Sequence, residues 1–241
     1  MKVLVFGKTG QVARALIAAG PASDVQIIAL GRDDADLRDP EACAAVIAAS
    51  GADAVINAAA WTAVDLAENH EDEAYLINAE APAAMAQACA VRGLPFVHLS
   101  TDYVFDGAEG AAWLPDDPTN PLSAYGRTKC AGEELVTAAG GASVILRTAW
   151  VFDETGQNFV TTMLRLSETR DALSVVADQI GGPTPAAAIA DACLVVVKAM
   201  KAGRTVTGIY HLSGAPDVTW ADFARAIFAA AGRDVTVTNI T

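Results

Sequence analysis

The sequence of 241 residues has little cysteine, little histidine and no pattern of either that suits a metal. Its four cysteines contain no C-x-x-C pair, and its three histidines are scattered, so no zinc-type spacing can be formed. We therefore expect no metal site, and reduced thiols in a cytoplasmic protein. A secretory signal peptide is not expected either, because the first apolar residues run directly into a glycine turn.

Positive charge is also scarce, since 16 lysine and arginine residues stand against 29 aspartate and glutamate residues. The resulting formal net charge of −13 argues against nucleic acid or an anionic membrane surface as a partner, because both attract clustered cations. No apolar run approaches the roughly 18 to 20 residues of a membrane-spanning helix. Hydrophobic residues nevertheless make up 53% of the chain, which is enough to bury a substantial core.

Short apolar segments alternate with alanine-rich segments of helical length over the first 150 residues. The predicted strands are Lys2–Phe6, Val25–Leu30, Ala54–Asn57, Phe96–Ser100 and Ser143–Arg147. The predicted helices are Gln11–Ala19, Glu41–Ala49, Glu73–Arg92 and Ala124–Ala139. Such alternation predicts an α/β fold with a doubly wound parallel sheet, which binds ligands beyond the carboxyl ends of its strands.

The pattern changes after Arg147, where helical segments surround shorter strand candidates. The helices predicted in this part are Asn158–Glu168, Pro185–Lys201 and Thr219–Ala231. The strands predicted between and after them are Leu173–Val176, Ile209–Leu212 and Val235–Thr238. We interpret residues 1–150 as one domain and residues 151–241 as a smaller lobe interleaved with it.

A glycine turn follows the first predicted strand and opens the first predicted helix. Gly7 permits the tight turn, Gly10 permits close approach of a pyrophosphate, and the small Ala13 permits close packing of helix on strand. The second strand ends in Leu30-Gly31-Arg32, without the acid that accepts from a ribose 2′-hydroxyl. We therefore expect a dinucleotide site that prefers NADP(H), through Arg32, with NAD(H) also possible.

Tyr125 and Lys129 lie four residues apart and are expected on one helical face. Neither side chain alone carries protons well at neutral pH, but a nearby ammonium is expected to lower the pKa of the phenol. Ser100-Thr101-Asp102 closes a strand about one helix earlier and places a hydroxyl where it can bind the same carbonyl oxygen. This set of residues predicts a tyrosine-dependent carbonyl reduction.

The motifs together resemble the extended short-chain dehydrogenase/reductases, and within them the family of dTDP-4-dehydrorhamnose reductases. The segments that carry the resemblance begin at residues 7 (GKTGQV), 57 (NAAAWTAVD), 100 (STDYVFDG), 125 (YGRTKCAG), 147 (RTAWVF), 178 (DQIGGPT) and 208 (GIYHLS). They cover nearly the whole chain in the order typical of the family. The resemblance implies a Rossmann-like domain for residues 1–150 and a substrate-binding lobe for residues 151–241.

The resemblance also implies roles for individual residues. The catalytic residues would be Thr101, Tyr125 and Lys129. In addition to Arg32, the cofactor would contact Gly7, Gly10, Gln11, Val12, Asp36, Leu37, Ala58, Ala59, Ala60, Tyr125 and Lys129. The substrate would contact Val64, Asp65, Thr101, Asp102, Tyr125 and Trp150.

The implied reaction is reduction of the C4 ketone of dTDP-4-dehydro-L-rhamnose by NADPH, with Tyr125 as general acid. Dehydratases of the superfamily carry a glutamate after the Thr-Asp pair, whereas Tyr103 stands here, which favours reduction. Two alternatives stay open: reduction of another nucleotide-linked 4-keto-6-deoxysugar, or a non-catalytic NAD(P)-binding regulatory subunit. Both a monomer and a homodimer are compatible with the sequence.

Three further expectations concern single residues and the end of the chain. His98 is expected in the core of its strand, and Asn78 either near the active site or in helix packing. The predicted helix 11–19 lacks the acid through which some relatives bind a metal between subunits. Family chains continue past a strand such as 235–238 into a nucleotide-binding segment, so this sequence either is incomplete or lacks part of that clamp.

Overall fold

The structure is a computed structural model that describes residues 1–108 and 111–241. Its strands are β1 (Lys2–Phe6), β2 (Gln26–Leu30), β3 (Ala54–Asn57), β4 (Phe96–Thr101), β5 (Ser143–Thr148), β6 (Val151–Phe152), β7 (Ala172–Val176), β8 (Ile180–Gly181), β9 (Thr184–Pro185), β10 (Gly208–His211), β11 (Val218–Thr219) and β12 (Thr236–Ile240). Its α-helices are α1 (Gln11–Ala19), α2 (Pro40–Ala49), α3 (Val64–Ala67), α4 (Glu71–Tyr75), α5 (Ala81–Arg92), α6 (Ala124–Ala138), α7 (Phe159–Leu166), α8 (Ala186–Lys201) and α9 (Trp220–Ala230).

Six parallel strands form the central sheet in the order β10-β5-β4-β3-β1-β2. The chain reverses direction across the sheet at β1, which pairs with both β2 and β3. Phe6 is in register with Leu30 on one side and Asn57 on the other, so the three carboxyl ends lie side by side. In sheets of this kind such a reversal opens a ligand crevice.

Both faces of the central sheet are covered, as its apolar strands require. Val3 and Val5 of β1 face α1 and α8, whereas the alternate residues Leu4 and Phe6 face α2 and α5. Side chains alternate between the faces of a strand, so an uninterrupted apolar run supplies both cores. The predicted doubly wound α/β fold is confirmed.

The smaller lobe has its own core between α7, α9 and a parallel pair of strands, β7 and β12. Met163, Leu173 and Phe228 are among its buried residues. Two pairs of two-residue strands, β6 with β9 and β8 with β11, connect this lobe to the central sheet.

One strand from the second part of the sequence, β10, belongs to the central sheet. The strand predicted at Ile209–Leu212 was grouped with the smaller lobe, but β10 lies at the edge of the central sheet beside β5. Helix α8 accompanies it and packs on α1. Sequence periodicity shows that a strand exists but not which sheet it joins. The position of β10 is compatible with a second lobe that is interleaved with the first domain.

The helix predicted at Glu73–Arg92 begins earlier, at Glu71, and contains a π-helical turn at Leu76–Glu80. The first five strands match their predicted bounds to within one residue. Four cysteines are buried and free. Within residues 1–108 and 111–241, no helix has the length and apolarity needed to cross a membrane.

Candidate active site

The glycine turn joins the ends of three strands. Gly7 has a φ of 105°, and a Cβ at this position would lie 2.8 Å from the carbonyl oxygen of Ala58. Only glycine adopts this conformation without strain and allows this approach. Helix α1 begins directly afterwards with Gly10 as its N-cap, so its free N–H groups point toward the crevice and can attract an anion.

A cleft of about 370 Å³ opens at this point. Eight residues predicted to contact the cofactor line it, namely Gly10, Gln11, Val12, Ala58, Ala59, Ala60, Tyr125 and Lys129. The glycine turn and the tyrosine–lysine pair are therefore two sides of one cavity, although they are more than 100 residues apart in the chain.

Two hydroxyl groups in the cleft have no partner within the described protein. Ser100 Oγ and Thr148 Oγ1 are buried without a hydrogen bond, and both residues line the cavity. They lie at the ends of adjacent strands, where Thr148 is in register with Thr101. Buried polar atoms normally have partners, so these hydroxyls indicate a polar ligand. Together with the helix N-terminus, they fit a dinucleotide bound along the cleft.

Helix α6 is positioned by its first turn. Ser123 caps it by accepting from the Gly126 N–H at 3.1 Å, and Glu68 accepts from the Ala124 N–H at 2.8 Å. A Cβ at Gly126 would collide with the carbonyl oxygen of Tyr103, so glycine is required for this close approach. The Tyr125 ring consequently lies edge-on to Tyr103, with centroids 5.4 Å apart.

Tyr125 has a more basic phenol than the sequence predicts. Burial raises its pKa to about 12, against a lowering by a hydrogen bond with Thr101, and the Asp102 charge raises it further. The expected lowering by the Lys129 ammonium is absent from the interactions that act on this phenol, so that prediction was wrong for the free protein. Tyr125 is therefore fully protonated at neutral pH and can donate a proton.

Lys129 is directed away from carboxylates and toward strand β4. Its Nζ donates to the Leu99 carbonyl oxygen at 2.7 Å and lies 3.2 Å from His98 Nε2. Burial lowers the pKa of this lysine to about 8, although Glu133 raises it in part. A lysine in this state can gain or lose a proton near physiological pH.

Asn78 lies in the π-helical turn and connects three segments around the site. Its Oδ1 accepts from the Trp61 N–H at 2.8 Å, while its Nδ2 donates to Trp61 O at 3.2 Å and to Thr128 Oγ1 at 3.1 Å. It thus fixes both the loop after Ala60 and the helix that carries Tyr125 and Lys129. Of the two roles left open for Asn78, the observed contacts are those of helix and loop packing.

The predicted adenosine side lies outside the cavity. Arg32 is exposed, and Asp36 is paired with Arg38 at 2.7 Å. Leu37 packs partly buried against the core under α2. Asp34 folds back to accept from the Gly31 N–H at 2.9 Å. The end of β2 therefore presents Arg32 at the surface with the Asp34 carboxylate already bonded to the backbone.

The predicted substrate residues form two groups. Thr101 Oγ1 donates to Asp102 at 3.1 Å, and the charges of Asp102 and Asp65 both raise the pKa of Tyr103, after the larger effect of its burial. Asp102 is exposed as a residue, yet desolvation of its carboxyl group raises its pKa, against hydrogen bonds from Thr101 and the Tyr103 N–H that lower it. Val64 begins the short helix α3 that carries Asp65. Thr101 and Asp102 therefore lie beside Tyr125, and α3, which carries Val64 and Asp65, packs on α6.

Trp150 forms the second group, at the junction with the smaller lobe. It has a φ of 50°, rare for a residue other than glycine, and its ring stacks on Trp220 at 3.5 Å. A Cβ at Gly181 would lie 2.7 Å from the same ring. Trp150 does not line the cleft, but Thr148 and Val151 on either side of it do. Its stacking partner Trp220 is the first residue of α9.

A loop at residues 153–158 forms a wall of the cleft that the sequence reasoning missed. Arg14 of α1 donates to Asp153 at 3.0 Å, and Asn158 donates to Gln11 at 3.0 Å. Gly156 and Gln157 line the cavity as a result. The arginine in the first helix was the available signal, but its partner lies 139 residues further along the chain.

Comparison with known proteins shows which family this chain belongs to. The model of the RmlD substrate binding domain family matches residues 1–241, the whole chain. The chain belongs to this family. Membership confirms the resemblance inferred from the motifs, and with it the predicted class of nicotinamide-dependent sugar-nucleotide oxidoreductases.

Alignments of this chain with individual relatives cover most of each relative's length. A dTDP-4-dehydrorhamnose reductase of Sinorhizobium fredii is 44% identical over 100% of this chain and 83% of the relative. A Streptomyces antibioticus protein named "Probable dTDP-4,6-dihydroxy-2-methyloxan-3-one 4-ketoreductase" is 41% identical over 95% of this chain and 76% of its own.

A solved RmlD-family structure confirms the fold and the cofactor class. The dTDP-4-dehydrorhamnose reductase of Bacillus anthracis, crystallised in complex with NADP, superimposes with a TM-score of 0.93. It is 32% identical and the alignment covers 100% of this chain and 84% of that one. The expectation of NADP(H) thus agrees with what a relative binds.

Proposed function

We propose that this protein is an NADPH-dependent reductase of the C4 ketone of dTDP-4-dehydro-L-rhamnose, with Tyr125 as the general acid. The observation that carries the proposal is the meeting of Tyr125 with the glycine turn in one cleft. The relatives' names supply the substrate, because the cleft geometry alone fits many ketones.

The cofactor would be held at two ends of the cleft. The N-terminus of α1, opened by Gly10, fits the pyrophosphate, while Ser100 and Thr148 offer hydroxyls that lack protein partners. When bound, NADPH supplies the hydride that reduces the ketone. Arg32 at the end of β2 is expected to favour the 2′-phosphate, since the neighbouring Asp34 is bonded to Gly31.

The proton comes from Tyr125. Because burial raises the pKa of this phenol to about 12, the group is protonated at working pH and acid enough only toward a strongly basic alkoxide. Thr101 interacts with the phenol and has its own hydroxyl at the strand end, so both can bind one oxygen of the substrate. Lys129 completes the set from the next turn of α6.

The sugar nucleotide would lie on the side of Tyr125 away from the glycine turn. Asp102 lies beside Tyr125, and α3 with Val64 and Asp65 packs on α6. Trp150 is expected to pack against the deoxysugar ring. The strained backbone of Trp150 supports this role, because non-glycine residues with positive φ are concentrated at functional sites.

A second candidate is reduction of a different nucleotide-linked 4-keto sugar. The Streptomyces relative, at 41% identity, carries the name of such a ketoreductase. One axial or equatorial hydroxyl changes few contacts, so the two candidates share every residue of the proton-transfer site.

The test is turnover of purified protein with NADPH and dTDP-4-dehydro-L-rhamnose, measured by loss of NADPH absorbance. We expect turnover with this substrate, and a decrease of about 10³-fold in kcat for Tyr125→Phe with an unchanged circular dichroism spectrum. Tyr75→Phe, at an exposed tyrosine of α4, is the matched control and should keep full activity. Cofactor binding without turnover of any keto-sugar nucleotide would refute the enzyme and favour a regulatory subunit.

A further inference from the structure

A chain of buried polar side chains lies behind the catalytic lysine. Asn57 of β3, His98 of β4 and Lys129 of α6 are 0%, 0% and 1% exposed. Asn57 Nδ2 lies 3.1 Å from His98 Nδ1, and His98 Nε2 lies 3.2 Å from Lys129 Nζ. Neither the asparagine nor the histidine is among the residues that line the cleft.

The backbone fixes the direction of this chain of hydrogen bonds. The Ala59 N–H donates to Asn57 Oδ1 at 3.1 Å, so the amide oxygen faces the backbone and the NH₂ faces the histidine. The asparagine therefore donates to His98 Nδ1, which must be free of hydrogen. In a neutral imidazole the single proton then resides on Nε2.

The Nε2–H is directed at Lys129 Nζ. An ammonium has only donors, so it would oppose this N–H, whereas a neutral amine accepts from it through its lone pair. The amine still donates to the Leu99 carbonyl oxygen at 2.7 Å. Both ring nitrogens of His98 therefore have a hydrogen-bond partner of the right kind only when Lys129 is an amine.

The surrounding charges are compatible with this assignment. Among the described residues, the titratable groups that act on Nζ are His98 from β4, at 3.2 Å, and Glu133 from α6 itself. Both carboxylate oxygens of Glu133 accept hydrogen bonds from Arg147. Burial lowers the pKa of Lys129 to about 8 and that of His98 well below its ordinary value.

We propose that Asn57 and His98 are positioning residues that favour the neutral amine of Lys129 in the cofactor-free protein, by presenting an Nε2–H to Nζ. In the proposed reductase, on which this consequence rests, a lysine so held accepts a proton from solvent readily near working pH. The tautomer of His98 itself does not depend on the reaction.

The first experiment is ¹⁵N NMR of histidine-labelled wild-type protein without cofactor. The chain has three histidines, so His70→Gln and His211→Gln variants assign the spectrum. At pH 9, above the pKa of about 8 of Lys129, we expect His98 as the neutral tautomer with hydrogen on Nε2. A His98 with hydrogen on Nδ1 at this pH, alone or on both nitrogens, overturns the proposal without any variant of the network.

The second experiment reverses the direction of the chain with Asn57→Asp. A carboxylate accepts from the Ala59 N–H and from Nδ1–H, so His98 should change tautomer and its Nε2 should accept from a lysine ammonium. We expect the pKa of Lys129, followed by ¹³C of its side chain among five lysines, to rise by about one unit or more.

Asn69→Asp, at an exposed asparagine, adds the same charge and should change neither signal. An unchanged tautomer and an unchanged lysine pKa in folded Asn57→Asp refute the proposal. If Asn57→Asp does not fold, the wild-type spectrum decides alone. Loss of turnover with the wild-type tautomer as expected would count against the reductase and not against the hydrogen-bond chain.

Discussion

Two basic side chains are buried at helix α6, and among the described residues only one of them is paired with a carboxylate. Arg147 of β5 donates to Glu133 at 2.7 and 2.9 Å, with both side chains 4% exposed. It also donates to the Pro115 carbonyl oxygen and lies 5.0 Å from the Phe105 ring centre. Lys129, four residues before Glu133 on the same helix, lies within ion-pair distance of no carboxylate in the described residues.

The difference separates a charge that only stabilises the structure, on Arg147, from a basic group that can exchange a proton, on Lys129. A guanidinium does not lose its proton in proteins, so complete pairing of Arg147 fixes a geometry and nothing else. An amine without a counter-ion is destabilised as a cation by burial, and its proton becomes exchangeable. Both oxygens of Glu133 accept hydrogen bonds from Arg147, so this carboxylate does not pair with Lys129, and the lysine can titrate.

The largest effect should come from breaking the paired cation. Glu133→Gln leaves Arg147 buried without its counter-charge, and we expect a loss of about 3–5 kcal/mol in the free energy of unfolding. Denaturant titration measures it, and Glu134→Gln, at the exposed neighbour, should stay within about 0.5 kcal/mol of wild type. Equal losses in the two variants would show that pairing is not what stabilises this region.

An intermediate effect should appear in the pH dependence of the free energy of unfolding that Lys129 causes. The folded protein lowers the pKa of Lys129 from 10.5 to about 8, so the unfolded chain holds more protons between these values. Stability should therefore rise with pH across this window in wild type relative to Lys129→Met, by up to about 3 kcal/mol. Denaturant titrations of both proteins from pH 7 to 10 measure the difference, and parallel curves would contradict the assigned pKa.

The smallest effect should come from a pair with the same chemistry at the surface. Arg127 donates to both oxygens of Glu71 at 2.8 Å, but both side chains are more than 40% exposed. We expect Glu71→Gln to cost less than about 1 kcal/mol, because water solvates the separated charges. A loss as large as that of Glu133→Gln would mean that the bidentate geometry, and not burial, sets the difference.

Much of the fold was readable because its strands are short, apolar on both faces and separated by glycine or proline. The glycine turn and the Tyr125–Lys129 pair were found for a related reason, since each is a local pattern. The π-helical turn at 76–80 was not predicted, as nothing in its sequence interrupts the helix. Strands of two residues, such as β6, are too short for any periodicity.

The missed parts of the site depend on contacts between distant segments. His98 has the sequence context of a core residue, and its contact with Lys129 spans 31 positions. Ser100 and Thr148 are ordinary hydroxyls at strand ends until the sheet places them side by side. The pKa of Tyr125 was predicted in the wrong direction because a four-residue spacing does not show where an ammonium points.

The loop at 153–158 has a consequence for how this enzyme fold can be divided. Gly156, Gln157 and the Asn158–Gln11 contact belong to the nucleotide cleft, and β10 with α8 completes the sheet and its covering layer. A fragment ending at residue 150 would therefore lose an edge strand, a helix and one wall of the cavity at once. Residues 1–150 therefore do not form a dinucleotide-binding domain that can be separated from the rest of the chain. Truncation at residue 150 should abolish cofactor affinity together with folding.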